Sequence, residues 1–234
     1  MKNIGLAATD IITAHFSREG FAVVPGVLDD TRCDLLASQV DSEASSGARQ
    51  LLERSWCRAL AEELRRHSVL RDVLPINSVA VQCTFFDKSP TRNWLASLHQ
   101  DLSIPVRARI EAAECSGWSE KEGVVFVQPP VETLEQLVAV RVHIDACPEE
   151  SGTLRVVPGS HGYGRLGGPS AAALRDGRGE VVVAAERGGA LVMRPLILHA
   201  SSKSSAPQPR RVLHFVFGPA QLPFGLEWRW AVAG

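Results

Sequence analysis

"SVAVQCTFF", residues 78–86, is where the pattern of the chain changes from helical to extended. Val79, Val81, Cys83 and Phe85 alternate with Ala80, Gln82 and Thr84, and a period of two sends these sets to opposite faces of a strand. The patterning returns in "VAVRVHID" (138–145), "GTLRVVP" (152–158), "EVVVAA" (180–185), "GALVMRPLILHA" (189–200) and "RRVLHFVF", which begins at Arg210. Gly and Pro clusters separate these runs, and helical segments do not alternate with them. Short strands joined by turns predict a barrel or a two-sheet jelly roll rather than a parallel sheet.

Upstream the period is helical. Thr9 or Asp10 is placed to cap a helix carrying Ile11, Ile12 and Phe16, which Gly20 ends. "FAVVPGVL" (21–28) reads as one inserted strand. "DDTRCDLLASQV" opens on capping aspartates, and Leu51, Leu52, Trp56, Leu60 and Leu64 recur at helical intervals in 50–66. The expected architecture is one domain over 1–234, mainly β with flanking α-helices: a mostly helical flank over 1–75 and a jelly-roll core over 76–234. The segment 103–137 reads as loops that help to define a pocket.

The net charge of -1 offers no broad attraction for a phosphate backbone or anionic lipid, so neither nucleic acid nor membrane is an expected partner. The five cysteines are scattered without a CxxC pair and read as reduced thiols. The first residues lack an apolar signal-peptide core, and a cytoplasmic location is expected.

"SLHQDLSIPV" (97–106) holds the chemistry. Residues i and i+2 of a strand point to one side, so His99 and Asp101 can aim an imidazole and a carboxylate at a single ion. A non-haem Fe(II) oxygenase needs two histidines and one carboxylate on one face of the ion, and His199 is the obvious distant third. His143 and Asp145 have the same spacing on a strand whose polar face also includes Arg141, and spacing does not choose between the two pairs.

The surroundings of the first pair do. "NWLASLHQD", then "VRVHIDACPEESGTLRVVPGSHGYGRL", then "GALVMRPLILHASSKSSAPQPRRVLHFVF" closely resemble the phytanoyl-CoA dioxygenase family of Fe(II)- and 2-oxoglutarate-dependent oxygenases, as does the opening "HFSREGFAVVPGVLDDTRCDLL". The most specific elements are H-Q-D, E-x-G-x-L-x-V-x-P-G-S-H, and a histidine followed eleven residues later by arginine. The resemblance implies a double-stranded β-helix, the cupin-like form of the jelly roll. It places the metal ligands on His99, Asp101 and His199 and implies Fe(II), 2-oxoglutarate and O2 as the cofactor, co-substrate and oxidant. It also implies hydroxylation of an unactivated carbon with release of succinate and CO2, and the retained Asp101 leaves no room for the halide that related halogenases bind.

The family's 2-oxoglutarate arginine falls on Arg210, with Arg211 adjacent and facing the other way, so one of the two serves. A guanidinium neutralises the far carboxylate bidentately. Ser201 is placed to donate to that carboxylate, and Gln82, Lys88 and Asn93 either contact the co-substrate or complete a turn network. Arg141, His143 and Trp94 are candidate substrate contacts, while His161 is assigned a turn role and His15, His67 and His214 only surface and packing roles. The expected substrate is a small metabolite. Two rivals use the same scaffold: a cupin-like metal isomerase or hydrolase without 2-oxoglutarate, and a non-catalytic jelly-roll binding protein.

Overall fold

The computed structural model describes residues 4–43, 47–89 and 92–233, without the side chains of 4–7, 42 and 43. Helices α1 (Ile4–Glu19), α2 (Asp30–Glu43), α3 (Ser55–Arg66) and the single turn α4 (Leu70–Val73) make up the N-terminal part of the chain, with strand β1 (Phe21–Val24) between the first two. Then follow β2 (Val79–Lys88), β3 (Ala96–His99), β4 (Ile104–Val106), β5 (Ser116–Lys121), β6 (Val124–Gln128), the turn α5 (Val131–Leu134), β7 (Val138–His143) and β8 (Leu154–Val156). Helix α6 (Gly168–Arg178) precedes β9 (Val181–Val182), β10 (Ala190–Met193), β11 (His199–Ser201) and β12 (Arg210–Gly218).

The strands form a five-stranded antiparallel sheet, β1-β10-β7-β12-β2, facing a four-stranded one, β3-β11-β8-β9. This is the double-stranded β-helix. The register explains how the large sheet divides its labour: His214 lies opposite Arg141 on one side and Thr84 on the other, and Arg210 lies opposite Lys88. Partners across a ladder share a face, so the alternate residues Leu213, Phe215, Phe217, Val138, Val140 and Val142 point outwards. There they meet Phe16, Leu36, Leu60 and Leu64 of the helices in one buried cluster. The helical flank thus covers the outer face, and the inner face is left for polar groups.

Several sequence expectations change. Helix α1 runs through Thr9 and Asp10 from Ile4, so neither caps it, whereas Asp29 Oδ1 does accept the Arg32 amide at 2.7 Å at the start of α2. "GALVMRPLILHA" is not one strand: a turn at Arg194–Ile197, with Pro195 inside it, separates β10 in one sheet from β11 in the other. The alternation in "SVAVQCTFF" is broken by a register shift opposite Val216 and Phe217, which sends Val79 and Val81 to a different apolar cluster from Cys83 and Phe85. The segment 103–137 is not loop alone but carries a third sheet, β4-β6-β5.

The turn before β10 depends on Gly188. Its φ is +75°, and an added Cβ would lie 2.2 Å from the Leu28 carbonyl oxygen. Both the strained backbone and the clash oppose any side chain, so Gly188→Ala is expected to destabilise the protein by at least about 2 kcal/mol. Urea unfolding followed by circular dichroism measures this, and an unchanged midpoint would count against the turn's assigned importance.

Candidate metal centre

His99 ends β3 and His199 begins β11, and the two are direct partners in the antiparallel ladder. Pairing the strands therefore sets the imidazoles side by side, with ring centres 4.2 Å apart. Asp101 lies just beyond β3, held by its amide donating to the Pro195 carbonyl at 2.9 Å. Its carboxylate oxygens stand 3.9 Å from His99 Nε2 and 3.8 Å from His199 Nε2. One donor atom from each of the three residues falls within 4.8 Å of the others. Small side-chain rotations bring such a set onto one ion.

The hydrogen bonds of the rings show that this set fits a metal. Nδ1 of His99 meets the Ser97 carbonyl at 2.7 Å, and Nδ1 of His199 meets the Ile197 carbonyl at 3.0 Å. A carbonyl only accepts, so each ring carries its hydrogen on Nδ1 and leaves the Nε2 lone pair facing Asp101. Burial pushes the His199 imidazole below its usual pKa, which keeps that lone pair free at neutral pH. Gln100, between His99 and Asp101, fixes the segment: its Nε2 donates to Leu196 O at 2.6 Å and Gly164 O at 2.8 Å, and its Oε1 accepts from Leu166 N at 2.8 Å. Its position in H-Q-D was the available signal, and its buried role could not be read from it.

The second H-x-D does not form a ligand pair. Strand β7 ends at His143, so the same-face rule does not extend to Asp145. Asp145 instead accepts three bonds from Arg211, through the backbone amide at 2.9 Å, Nε at 2.8 Å and Nη2 at 2.8 Å. His143 is buried with no hydrogen-bond partner on either ring nitrogen among the described residues, and burial, with Arg141 and Arg210 nearby, depresses its pKa to about 3. It is not among the residues that line the cavity over the three donors, where a substrate contact was expected.

That cavity has a volume of about 420 Å³. Its walls include Phe86, Trp94, Phe126 and Val216, and its polar groups include Gln82, Arg141, Ser201 and Arg210. Gln82 Nε2 donates to Thr84 Oγ1 at 3.0 Å. Arg210 points inwards and is 2 % exposed, and its Nε is buried with no acceptor among the described residues. Arg211 points to the outer face, where it also meets Asp41 at 2.7 Å. The adjacent arginines are separated by strand alternation alone.

Lys88, cross-strand from Arg210, is fully buried. Its amine donates to Ser201 Oγ at 2.8 Å and Ser202 O at 2.6 Å and lies 5.2 Å from the centre of the Trp94 ring. Burial, with Arg210 and Arg141 adding repulsion, lowers its pKa to about 8. Asn93 lies outside the cavity lining: its Nδ2 donates to Ser204 O at 2.7 Å and its Oδ1 accepts from Ser204 N at 2.8 Å, which pins the loop before β12.

His214 is the residue that sequence reasoning missed. It faces the cavity, with Nε2 3.8 Å from Asp101 Oδ2 and Nδ1 3.1 Å from Arg141 Nη1. A guanidinium only donates, so Nδ1 accepts and the ring hydrogen sits on Nε2. The ring therefore offers Asp101 a hydrogen, not a lone pair, and is no fourth ligand in this arrangement. Burial, reinforced by Arg141, depresses its pKa to about 3. The signal was present in the alternation of Arg210, Val212 and His214 along one strand face.

Comparison with known structures finds the same fold. The epimerase SnoN in complex with Fe3+, alpha-ketoglutarate (2-oxoglutarate) and nogalamycin RO is 19% identical, with a TM-score of 0.68 and 97% of this chain and 95% of that one covered. EctD from S. alaskensis with 2-oxoglutarate and 5-hydroxyectoine is 17% identical (TM-score 0.64; 89% and 75% covered). The carbocyclase SnoK from nogalamycin biosynthesis is 14% identical (TM-score 0.58; 90% and 83% covered). Comparison with curated protein sequences gives no significant match. No described helix is long and apolar enough to cross a membrane. The sequence model of phytanoyl-CoA dioxygenase matches residues 16–212, from α1 through the arginine pair that opens β12. With the expected motifs and the double-stranded β-helix both in place, the chain belongs to the phytanoyl-CoA dioxygenase family.

Proposed function

We propose that the protein is an Fe(II)- and 2-oxoglutarate-dependent oxygenase acting on a small molecule, with His99, Asp101 and His199 as metal ligands and Arg210 as the anchor of the co-substrate's far carboxylate. The observation that carries this reading is the sharing of one cavity by a three-donor set and a buried guanidinium whose Nε has no acceptor among the described residues. An unsatisfied buried donor is unfavourable by about 1–3 kcal/mol, and a carboxylate at Arg210 removes that penalty. A metal isomerase or hydrolase has no use for such an anchor, and a binding protein has no use for an open ligand set.

Fe(II) and 2-oxoglutarate, when bound, supply with O2 an oxidant able to break an unactivated C–H bond, releasing succinate and CO2. The chain's own residues do the rest. The Ser97 and Ile197 carbonyls hold the tautomers of His99 and His199 that keep both Nε2 lone pairs available. Phe86, Trp94 and Val216 give the cavity its apolar walls, and Lys88 adds positive charge beside Ser201 and Arg210. We propose hydroxylation as the outcome, which adds one oxygen to the substrate mass; epimerisation leaves the mass unchanged, and ring closure by oxidation removes two hydrogens. The cavity of about 420 Å³ suits a small metabolite.

The reading is tested by anaerobic titration of the Fe(II)-loaded protein with 2-oxoglutarate. A visible metal-to-ligand absorption band is expected, and stoichiometric iron without any band would bring the isomerase reading forward. Lys88 gives a further expectation. A lysine with its pKa lowered to about 8 is protonated below that pH and neutral above it, and a bound dianion favours the protonated form. Binding then takes up a proton, so affinity for 2-oxoglutarate should weaken by about tenfold between pH 7 and pH 9.5. In Lys88→Met the profile should be flat across that range, and a slope equal to that of the wild type would remove Lys88 from the binding site.

A further inference from the structure

We propose that the substrate of this oxygenase is an acid, and that Arg141 is the receptor for its carboxylate. The inference rests on the functional reading above and goes further by naming the substrate's chemical class.

Arg141 projects from the centre of β7 into the cavity and is 6 % exposed. Its guanidinium lies over the Phe86 ring, 5.3 Å from the centroid, and its Nη1 is committed to His214 at 3.1 Å. Nε is buried and has no acceptor among the described residues. The edge formed by Nε and Nη2 is the one that grips a planar carboxylate through two parallel bonds. Phe86 and His214 hold the group in place before any ligand arrives, so little ordering remains to be done on binding.

Charge and stoichiometry point to the substrate as the source of that carboxylate. Arg49, Lys88, Lys121, Arg141 and Arg210 line the cavity, against Asp101 as its one carboxylate among the described residues. Arg49 is paired outside with Glu122 at 2.5 Å, but Lys88, Arg141 and Arg210 make no ion pair among the described residues. Two of the guanidiniums that line the cavity therefore have an Nε with no acceptor among the described residues. A 2-oxoglutarate whose keto-acid end is on the metal has only one carboxylate left, and Arg210 with Lys88 and Ser201 takes it. Arg141 stands opposite His214, four residues along β12 from Arg210 and roughly 13 Å away along the strand at the backbone level. It is positioned for a second anion.

Calorimetry on the Ni(II)-loaded protein, which binds without turnover, tests this. The first titration is with 2-oxoglutarate, and its failure would refute the functional reading. The second, with 2-oxoglutarate saturating, compares benzoate with benzamide, phenylacetate with phenylacetamide and hexanoate with hexanamide; the same pairs are run on the Ni(II) protein alone. At least one acid is expected to bind about tenfold or more tighter than its amide, and Arg141→Gln should abolish that preference while changing 2-oxoglutarate affinity less than about threefold. Arg141→Lys, which keeps the charge but not the two-pronged edge, should retain part of the preference and provides the comparison if the glutamine variant does not fold. Equal binding of acids and amides to the wild type overturns the proposal, as does a preference that survives in Arg141→Gln. A loss of 2-oxoglutarate affinity of about tenfold in that variant also overturns it, because the receptor would then serve the co-substrate. An acid preference on Ni(II) protein that does not bind 2-oxoglutarate would leave Arg141 as an anion receptor and refute the oxygenase reading alone.

Discussion

His199→Ala should lose high-affinity binding of a divalent metal, while His143→Ala should bind it as the wild type does. His199 is buried, its Nδ1 hydrogen is held by a backbone carbonyl, and its Nε2 faces the carboxylate that His99 also faces. Removing it leaves two donors, one of them on the more exposed His99. Changing the partner of a ligand typically reduces metal affinity about 10–100-fold, so deleting the ligand itself should reduce it by roughly a hundredfold or more. His143 is outside the cavity lining and has no ring partner among the described residues, and its loss is expected to lower the unfolding midpoint without altering the metal site. Chelator competition with Ni(II) reads the first effect and thermal unfolding of the metal-free proteins the second. Loss of metal from His143→Ala with retention in His199→Ala would reassign the ligand set.

Arg210→Ala and Arg211→Ala should fail in opposite ways. Removing one partner of a buried, hydrogen-bonded charge pair weakens binding by about 2–5 kcal/mol, so Arg210→Ala should reduce 2-oxoglutarate affinity by roughly thirtyfold to several thousandfold. Its folded state should be no less stable, because the substitution relieves an unpaired buried cation flanked by Lys88 and Arg141. Arg211→Ala should leave co-substrate binding nearly unchanged and lower stability by about 1–3 kcal/mol, because Asp145 loses all its side-chain bonds from that residue. Urea unfolding and anaerobic titration of both variants separate these effects. Loss of 2-oxoglutarate binding in Arg211→Ala with normal unfolding would transfer the anchoring role to the outer arginine.

The large sheet was legible in the sequence because its two faces meet different surroundings. The outer set of β12, Leu213, Phe215 and Phe217, packs beneath helices, and the inner set carries Arg210 and His214, so a period of two appeared in the residues. The candidate ligand triad was legible for a different reason: H-x-D is local, and its third member lay in a segment that matched a family. What stayed hidden depends on pairing between distant strands. Nothing near His214 in sequence identifies Arg141 as its partner; only the antiparallel register of β7 and β12 does. The split of "GALVMRPLILHA" was hidden because both halves are buried and apolar, and the turn chemistry of Arg194 and Pro195 was outweighed by that run. The third sheet was missed because β5 is largely exposed and polar, so it carries no alternating signal.

The clasp of Arg211 on Asp145 has a consequence for how relatives diverge. Because β12 is locked from its outer side and paired along both edges, the aim of Arg210 is set by the sheet rather than by the chain that leads into it. Residues 207–209 are exposed at the tip of that approach. Insertions there should be tolerated without re-aiming Arg210, leaving this loop open to remodelling by selection or by design. The eleven-residue interval between His199 and Arg210, a specific mark of the family resemblance, then measures this loop's length and not the geometry that aims Arg210.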